Sequence, residues 1–231
     1  MAIFKGAGVA IVTPMYEDGK VNYDKLEELL EYQIANSTDA IIICGTTGES
    51  STMTHGEHLK TIKFAIDKVN KRVPVIAGTG SNCTETAIMM SKETASYGAD
   101  ALLIVTPYYN KATQKGLIAH YTAIAEAVPE IPVLLYNNPG RVGYTLSADL
   151  VEKLAHEVKN IVGMKDTSGD ITQTEEFIRR NADVGFKVFG GKDTLLYASL
   201  CIGAVGGVCT AGNFMPELIV DIYNKYVAGD L

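Results

Sequence analysis

Short apolar runs rich in Val and Ile alternate along the chain with longer stretches whose apolar residues recur at helical spacing, and the cycle repeats eight times. The runs Gly8–Val12, Ala40–Cys44, Val73–Ala77, Ala101–Val105, Ile131–Tyr136, Ile161–Lys165, Lys187–Phe189 and Ala204–Cys209 predict strands. They are apolar throughout rather than alternating, the pattern of parallel strands buried on both faces. The intervening stretches Tyr23–Ala35, His55–Asn70, Thr84–Tyr97, Gln114–Ala127, Ser147–Glu157, Ile171–Asn181, Thr194–Cys201 and Pro216–Val227 predict helices. Start signals include Thr113 before Gln114, with Ser147 and Asp193 near the first turns of later helices. Eight β/α units without a Pro/Ser-rich linker predict an α/β fold of the closed (β/α)8 TIM-barrel type, one domain over residues 1–231. A doubly wound open sheet needs a nucleotide-type glycine loop after the first strand, and Val12-Thr13-Pro14 is not one.

With 231 residues, of which 47% are apolar, the chain can bury one large core. Its formal net charge of −7 argues against a nucleic-acid partner, because phosphate binding needs clustered Lys and Arg. The apolar start meets Glu17 and Asp18 too soon for a signal sequence, and Ser199–Phe214 is too short and glycine-rich to span a membrane. A cytoplasmic protein without membrane contact is expected. Four cysteines without C-x-x-C spacing do not suggest a disulfide framework.

Barrel chemistry sits at the carboxyl ends of the strands. There the sequence places Thr13, Gly45-Thr46-Thr47-Gly48-Glu49-Ser50, Thr106-Pro107-Tyr108-Tyr109-Asn110, Tyr136-Asn137-Asn138-Pro139-Gly140-Arg141, Lys165-Asp166-Thr167 and Gly190-Gly191-Lys192-Asp193. Lys165 closes its strand, so strand alternation sends its amine either into the barrel mouth or against the helices. Desolvation disfavours a charged amine and makes lysine a nucleophile toward carbonyls. The plainer reading, in which Lys165 pairs with Asp166 or caps the barrel rim, has equal standing on strand position alone. The hydroxyls of Thr46 and Thr47 and the amides freed by flanking glycines suit a small carboxylate, although an ordinary β-to-α turn uses the same residues. Arg141 offers a bidentate fork to a carboxylate, and Tyr136 a proton relay; a surface arginine and a core tyrosine are the plain alternatives. Gly190-Gly191-Lys192-Asp193 lacks the pattern of a phosphate loop, and His55-x-x-His58 has no third ligand nearby. Neither a metal nor a nucleotide is called for.

Taken together, Gly45-Thr46-Thr47-Gly48-Glu49, Thr106-Pro107-Tyr108-Tyr109-Asn110, Tyr136-Asn137-x-Pro139-Gly140-Arg141 and Lys165 resemble the dihydrodipicolinate synthase family, within the N-acetylneuraminate lyase superfamily of Schiff-base aldolases. The resemblance runs from Gly6 to about Glu217. It implies that Lys165 forms an imine with pyruvate, whose carboxylate is held by Thr47 and neighbouring N–H groups. It implies a proton relay of Tyr136, Thr46 and Tyr109, the last reaching into a neighbouring subunit, and hence a homodimer or homotetramer. Arg141 would anchor the carboxylate of a small aldehyde, L-aspartate 4-semialdehyde, while Gly191 and Val208 line the lysine pocket. No cofactor beyond the covalent Schiff base is implied. Ser50, His55, His58, Asn82 and Tyr108 match the family's allosteric lysine site, with Thr86 where lysine-sensitive members carry a glutamate.

The sequence departs from the pattern at Asn138, where valine is frequent, and at Asp166-Thr167-Ser168-Gly169, where Glu-Ala precedes the last two residues. These variants also occur in sister aldolases acting on sugar acids or hydroxy-oxo-acids, which remain the alternative reading, followed by a non-catalytic barrel. Family members continue past the eighth helix into a C-terminal helical segment, and this sequence ends at Leu231. The expectation is a barrel that still closes, with less stability, more exposed apolar surface and slower turnover.

Overall fold

The computed structural model describes residues 3–230. Eight parallel strands close on themselves in chain order: β1 (Gly6–Ala10), β2 (Ala40–Ile43), β3 (Val75–Gly78), β4 (Ala101–Val105), β5 (Val133–Asn137), β6 (Ile161–Asp166), β7 (Lys187–Gly190) and β8 (Gly206–Cys209). The ring is sealed by β1 against β8, with Gly6 opposite Gly206 and Val9 opposite Cys209. Around it stand α1 (Tyr23–Ala35), α2 (His55–Val69), α3 (Thr84–Ser96), α4 (Gln114–Glu126), the single turn α5 (Pro139–Val142), α6 (Ala148–Glu157), α7 (Ile171–Arg180), α8 (Leu196–Cys201) and α9 (Pro216–Ala228).

Strand alternation divides the buried side chains into two layers. Ala10, Ile42, Ile76, Leu103, Leu134 and Val208 point inward and fill the barrel with Phe4, Tyr136 and Phe189. Their neighbours Val9, Ile41, Ile43, Val75, Leu102, Leu135, Met164 and Val188 point outward against the helices. Side chains therefore plug the barrel, and the chemistry of such a fold belongs at its upper rim. Among the described residues no helix is long and apolar enough to cross a membrane.

The expected helix starts at Thr113 and Ser147 hold: their hydroxyls accept from Gly116 N at 3.2 Å and Leu150 N at 3.2 Å. Asn22, Thr54 and Asp170 cap α1, α2 and α7 in the same way. Asp193 does not cap a helix; its carboxylate instead takes Thr210 N at 3.0 Å and Ala211 N at 2.6 Å, tying the ends of β7 and β8 together. The first strand begins two residues earlier than its apolar run, because Gly6 and Ala7 pair with β8 while Val12 leaves the ladder for Asn213 Oδ1 at 2.9 Å. The third and fifth strands start after Pro74 and Pro132, which have no N–H to give. Residues 139–142 close one turn of helix after β5.

Candidate active site

β6 settles the direction of Lys165. In register with Tyr136 on β5 and Phe189 on β7, Lys165 points into the barrel mouth and is only 6% exposed. The next residue, Asp166, lies on the other face, where its carboxylate accepts from Thr174 Oγ1 at 2.6 Å, Asn137 Nδ2 at 2.9 Å, Ser168 Oγ at 2.9 Å and Ser168 N at 3.1 Å. Those donors occupy both oxygens of the carboxylate, and the expected alternative, a Lys165–Asp166 pair, is ruled out by the alternation of the strand. Among the described residues Lys165 has no ion-pair partner. Its Nζ sits instead over the Tyr136 ring, 4.6 Å from the centroid.

Tyr136 is 4% exposed and carries its hydroxyl into the same space. Asn138 Nδ2 donates to that hydroxyl at 2.8 Å. Burial pushes the phenol up, but the Lys165 charge and the polar neighbours Thr46, Thr167 and Asn138 outweigh it, and the phenol lies below its ordinary value. A buried amine beside a tyrosine of lowered proton affinity is suited to moving protons.

Glycines close the walls. A Cβ on Gly191 would lie 2.3 Å from Thr167 Oγ1 and 2.9 Å from Lys165 Cε, so that residue must be glycine for the lysine stem to pass. Val208 packs beneath, in the inner cluster with Tyr136 and Phe189. The loop after β2 is held by Thr13 Oγ1, which donates to Gly48 O at 2.7 Å. Thr47 Oγ1 lies 3.5 Å from Thr210 Oγ1 across the mouth. Lys165, Tyr136, Thr46, Gly191 and Val208 thus lie together at the barrel mouth.

The remaining expected residues line a cleft of about 540 Å³ beside this pocket. Thr46 and Arg141 belong to it, together with Ser50, His55, His58, Tyr108, Tyr109 and Thr86. Asn82 joins from its edge through Nδ2, which donates to Tyr108 O at 3.2 Å. His58 Nε2 meets Gly78 O at 2.8 Å, and burial holds this imidazole below its usual value despite that bond and with a further push from His55. Arg141, on α5, makes no ion pair among the described residues. Tyr109, at the edge of this cleft, is 89% exposed and has a φ of +78°. Sequence reasoning gave no role to Asn138, Thr167 or Thr210. Their residue types at strand ends were visible, but nothing in their spacing said which hydroxyl or amide each would meet.

Among the described residues no group of three or more His, Cys, Asp or Glu is placed to hold a metal. A closed β/α barrel that buries one amine without a carboxylate, among hydroxyls at the carboxyl ends of its strands, has the make-up of an enzyme acting on small carbonyl acids through that lysine. Comparison with known proteins narrows this class. The chain belongs to the dihydrodipicolinate synthetase family, which it matches over residues 3–231. It is 53% identical over 230 residues to the 4-hydroxy-tetrahydrodipicolinate synthase of Lachnoclostridium phytofermentans, an alignment covering 100% of this chain and 78% of that protein. Among solved structures, the dihydrodipicolinate synthase of Aquifex aeolicus superposes with a TM-score of 0.95 at 40% identity, covering 98% of this chain and 76% of that one. The chloride-inhibited enzyme of Acinetobacter baumannii in complex with pyruvate superposes with a TM-score of 0.93 at 45% identity, covering 98% and 77%.

Proposed function

We propose that this chain condenses pyruvate with L-aspartate 4-semialdehyde through a Schiff base on Lys165, giving 4-hydroxy-tetrahydrodipicolinate for diaminopimelate and lysine synthesis. The observation that carries the reading is the Lys165 amine, buried in the barrel mouth without a carboxylate and 4.6 Å from the Tyr136 ring centroid. The amine adds to the C2 carbonyl of pyruvate and water leaves, forming the imine. Loss of a C3 proton gives an enamine that attacks the aldehyde, and the amine of the second substrate then displaces Lys165 as the ring closes. Every bond change is an addition, elimination or proton transfer, so the lysine supplies the chemistry without a metal or organic cofactor.

In this reading Tyr136 and Thr46 move the protons, helped by Tyr109 of a second copy in a homodimer or homotetramer. The exposure of Tyr109 supports that role, since a side chain displayed to solvent is free to enter a neighbour's pocket. Thr47 and adjacent amides take the pyruvate carboxylate, Gly191 and Val208 shape the pocket, and Arg141 takes the carboxylate of the semialdehyde. Ser50, His55, His58, Asn82 and Tyr108 form a lysine effector site in which Thr86 supplies no charge. Incubation with pyruvate and borohydride, followed by mass spectrometry, tests the central step. The reduced pyruvate adduct is expected on the native chain and absent from Lys165→Ala; an adduct that persists in the variant overturns the mechanism.

The sister-aldolase reading puts a sugar acid in place of the semialdehyde. Arg141, which lines the cleft and has no ion pair among the described residues, favours the semialdehyde, which brings a carboxylate for it. Turnover with aspartate semialdehyde against sialic acid separates the two.

A further inference from the structure

Asparagine is among the strongest helix-capping residues, because its side-chain oxygen accepts from the exposed amides of the first turn. Asn138 occupies the capping position of α5, yet its side chain makes no capping bond. Only its main-chain carbonyl serves the turn, accepting from Arg141 N at 2.9 Å and Val142 N at 3.1 Å. The side chain is turned inward and is buried, with the residue 7% exposed, and Nδ2 donates to Tyr136 Oη at 2.8 Å. An asparagine in a place where it would cap a helix has its amide directed to the phenol instead.

The geometry points to Asn138 as a positioning residue, whose amide N–H fixes the Tyr136 oxygen as an acceptor and reserves the single phenol hydrogen for transfer within the pocket. This rests on the reading of Tyr136 as a proton carrier and adds the group that orients it. A phenol has one hydrogen to give and can accept from other donors. With Asn138 donating, the phenol hydrogen is left to Thr46, Thr167 or bound substrate, the other polar groups alongside the ring. Thr167 fits this arrangement. Its Oγ1 is buried and has no hydrogen-bond partner among the described residues, so it is ready to accept.

The bond also biases Tyr136 toward ionisation, because a donor to the oxygen stabilises the phenolate more than the phenol. The groups facing the phenol can be named from each packed element. β6 brings Lys165, the charged side chain that bears on it among the described residues. β4 places Val105 in register, the loop after β2 brings neutral Thr46, and the loop after β6 neutral Thr167. Removing the amide leaves Lys165, Thr46 and Thr167 against burial, with one stabilising donor fewer. The proton affinity of Tyr136 then rises, and the limb of the pH profile that belongs to it moves to higher pH.

The test uses Asn138→Asp and Asn138→Val beside Tyr136→Phe, with the pH dependence of kcat for the condensation and the yield of the borohydride-trapped pyruvate adduct. Tyr136→Phe identifies the limb by abolishing it. Loss of one hydrogen bond to an ionising group corresponds to an upward shift of about 0.5 to 1 pH unit in Asn138→Val. Asn138→Asp, which keeps the shape and replaces the donor by an acceptor, should shift it further. In both variants KM for pyruvate should stay near the native value while kcat at neutral pH falls several-fold. An isosteric aspartate keeps the fold, and 13Cζ-tyrosine NMR reads the Tyr136 ionisation directly, so the test does not depend on the valine variant folding. Unchanged pH profiles in the Asn138 variants, with Tyr136→Phe inactive, overturn the role of Asn138 alone. Full activity of Tyr136→Phe overturns both that role and the reading of Tyr136 on which it rests.

Discussion

Asp166 and Lys165 are adjacent in sequence and opposite in consequence. The carboxylate of Asp166 is 4% exposed and lies behind the barrel wall, where Thr174, Asn137 and Ser168 donate to it. Its truncation leaves several buried donors without an acceptor. Asp166→Ala should therefore cost about 3 kcal/mol of stability, read as the urea midpoint at constant m-value, and a loss below about 1 kcal/mol would show the network to be dispensable. Arg141 belongs to the same scale with the opposite signature. It has no ion pair to lose among the described residues, so Arg141→Ala should leave the midpoint unchanged and raise KM for aspartate semialdehyde, with pyruvate adduct formation intact. Unchanged kinetics would favour the aldolase alternative. The sequence showed both residues at strand ends, but the direction of the Asp166 side chain became fixed only when β5, β6 and β7 came into register.

At the scale of elements, the seams between neighbours are what a substitution disturbs. A Cβ on Gly78 of β3 would lie 2.3 Å from the carbonyl oxygen of Cys44, and neither is a flexible side chain. Gly78→Ala must push the end of β2 outward, and Thr46 with it. A tenfold or greater fall in kcat is expected, with about 1 to 3 kcal/mol of lost stability; a native-like rate would show that Thr46 is not placed by this seam. Between α3 and α4, His120 accepts or donates at Nδ1 to Thr84 Oγ1 at 2.9 Å while its Nε2 is buried without a partner. Burial takes this imidazole from 6.5 to about 4. The unfolded chain therefore binds a proton that the folded chain refuses between pH 6.5 and 4, and stability falls as pH drops through that window. From pH 7 to pH 5 the loss should be about 2 kcal/mol, absent from His120→Gln. Equal slopes in the two proteins would refute it. Helix α4 was legible from its periodicity and from Thr113, but the burial of His120 depended on where α3 would pack.

For the whole molecule, the question is what a second copy contributes. Tyr109 is exposed at the edge of the cleft, on a loop with positive φ at Tyr109 and Lys111, a conformation that side chains adopt at some cost. If a neighbour receives that side chain, Tyr109→Phe lowers kcat while the Lys165 adduct still forms, and activity depends on protein concentration in step with assembly. Sedimentation velocity alongside the condensation assay checks this. A well-folded monomer with full activity removes Tyr109 from the relay. Free lysine is expected to inhibit weakly, because Thr86 brings no charge to the cleft lined by Ser50, His58 and Tyr108. Inhibition at micromolar lysine would contradict it.

The repeating pattern of apolar runs and helical stretches determined the barrel, because each β/α unit buries a strand on both faces whatever its neighbours are. The residues at the strand ends determined which chemistry to look for, since only a few side-chain types serve it. Local signals alone also fixed the caps at Thr113 and Ser147. The tertiary structure decided what depends on partners far along the chain. It put Lys165 inward and Asp166 outward, gave Asp193 to the amides after β8, and moved β1 to start at Gly6 through its pairing with β8. It directed the Asn138 side chain, at the capping position of α5, to Tyr136 as a hydrogen-bond donor. Apolar periodicity is a property of one segment, whereas the partner of a polar group is set only when the barrel closes and brings distant strand ends within about 3 Å of one another.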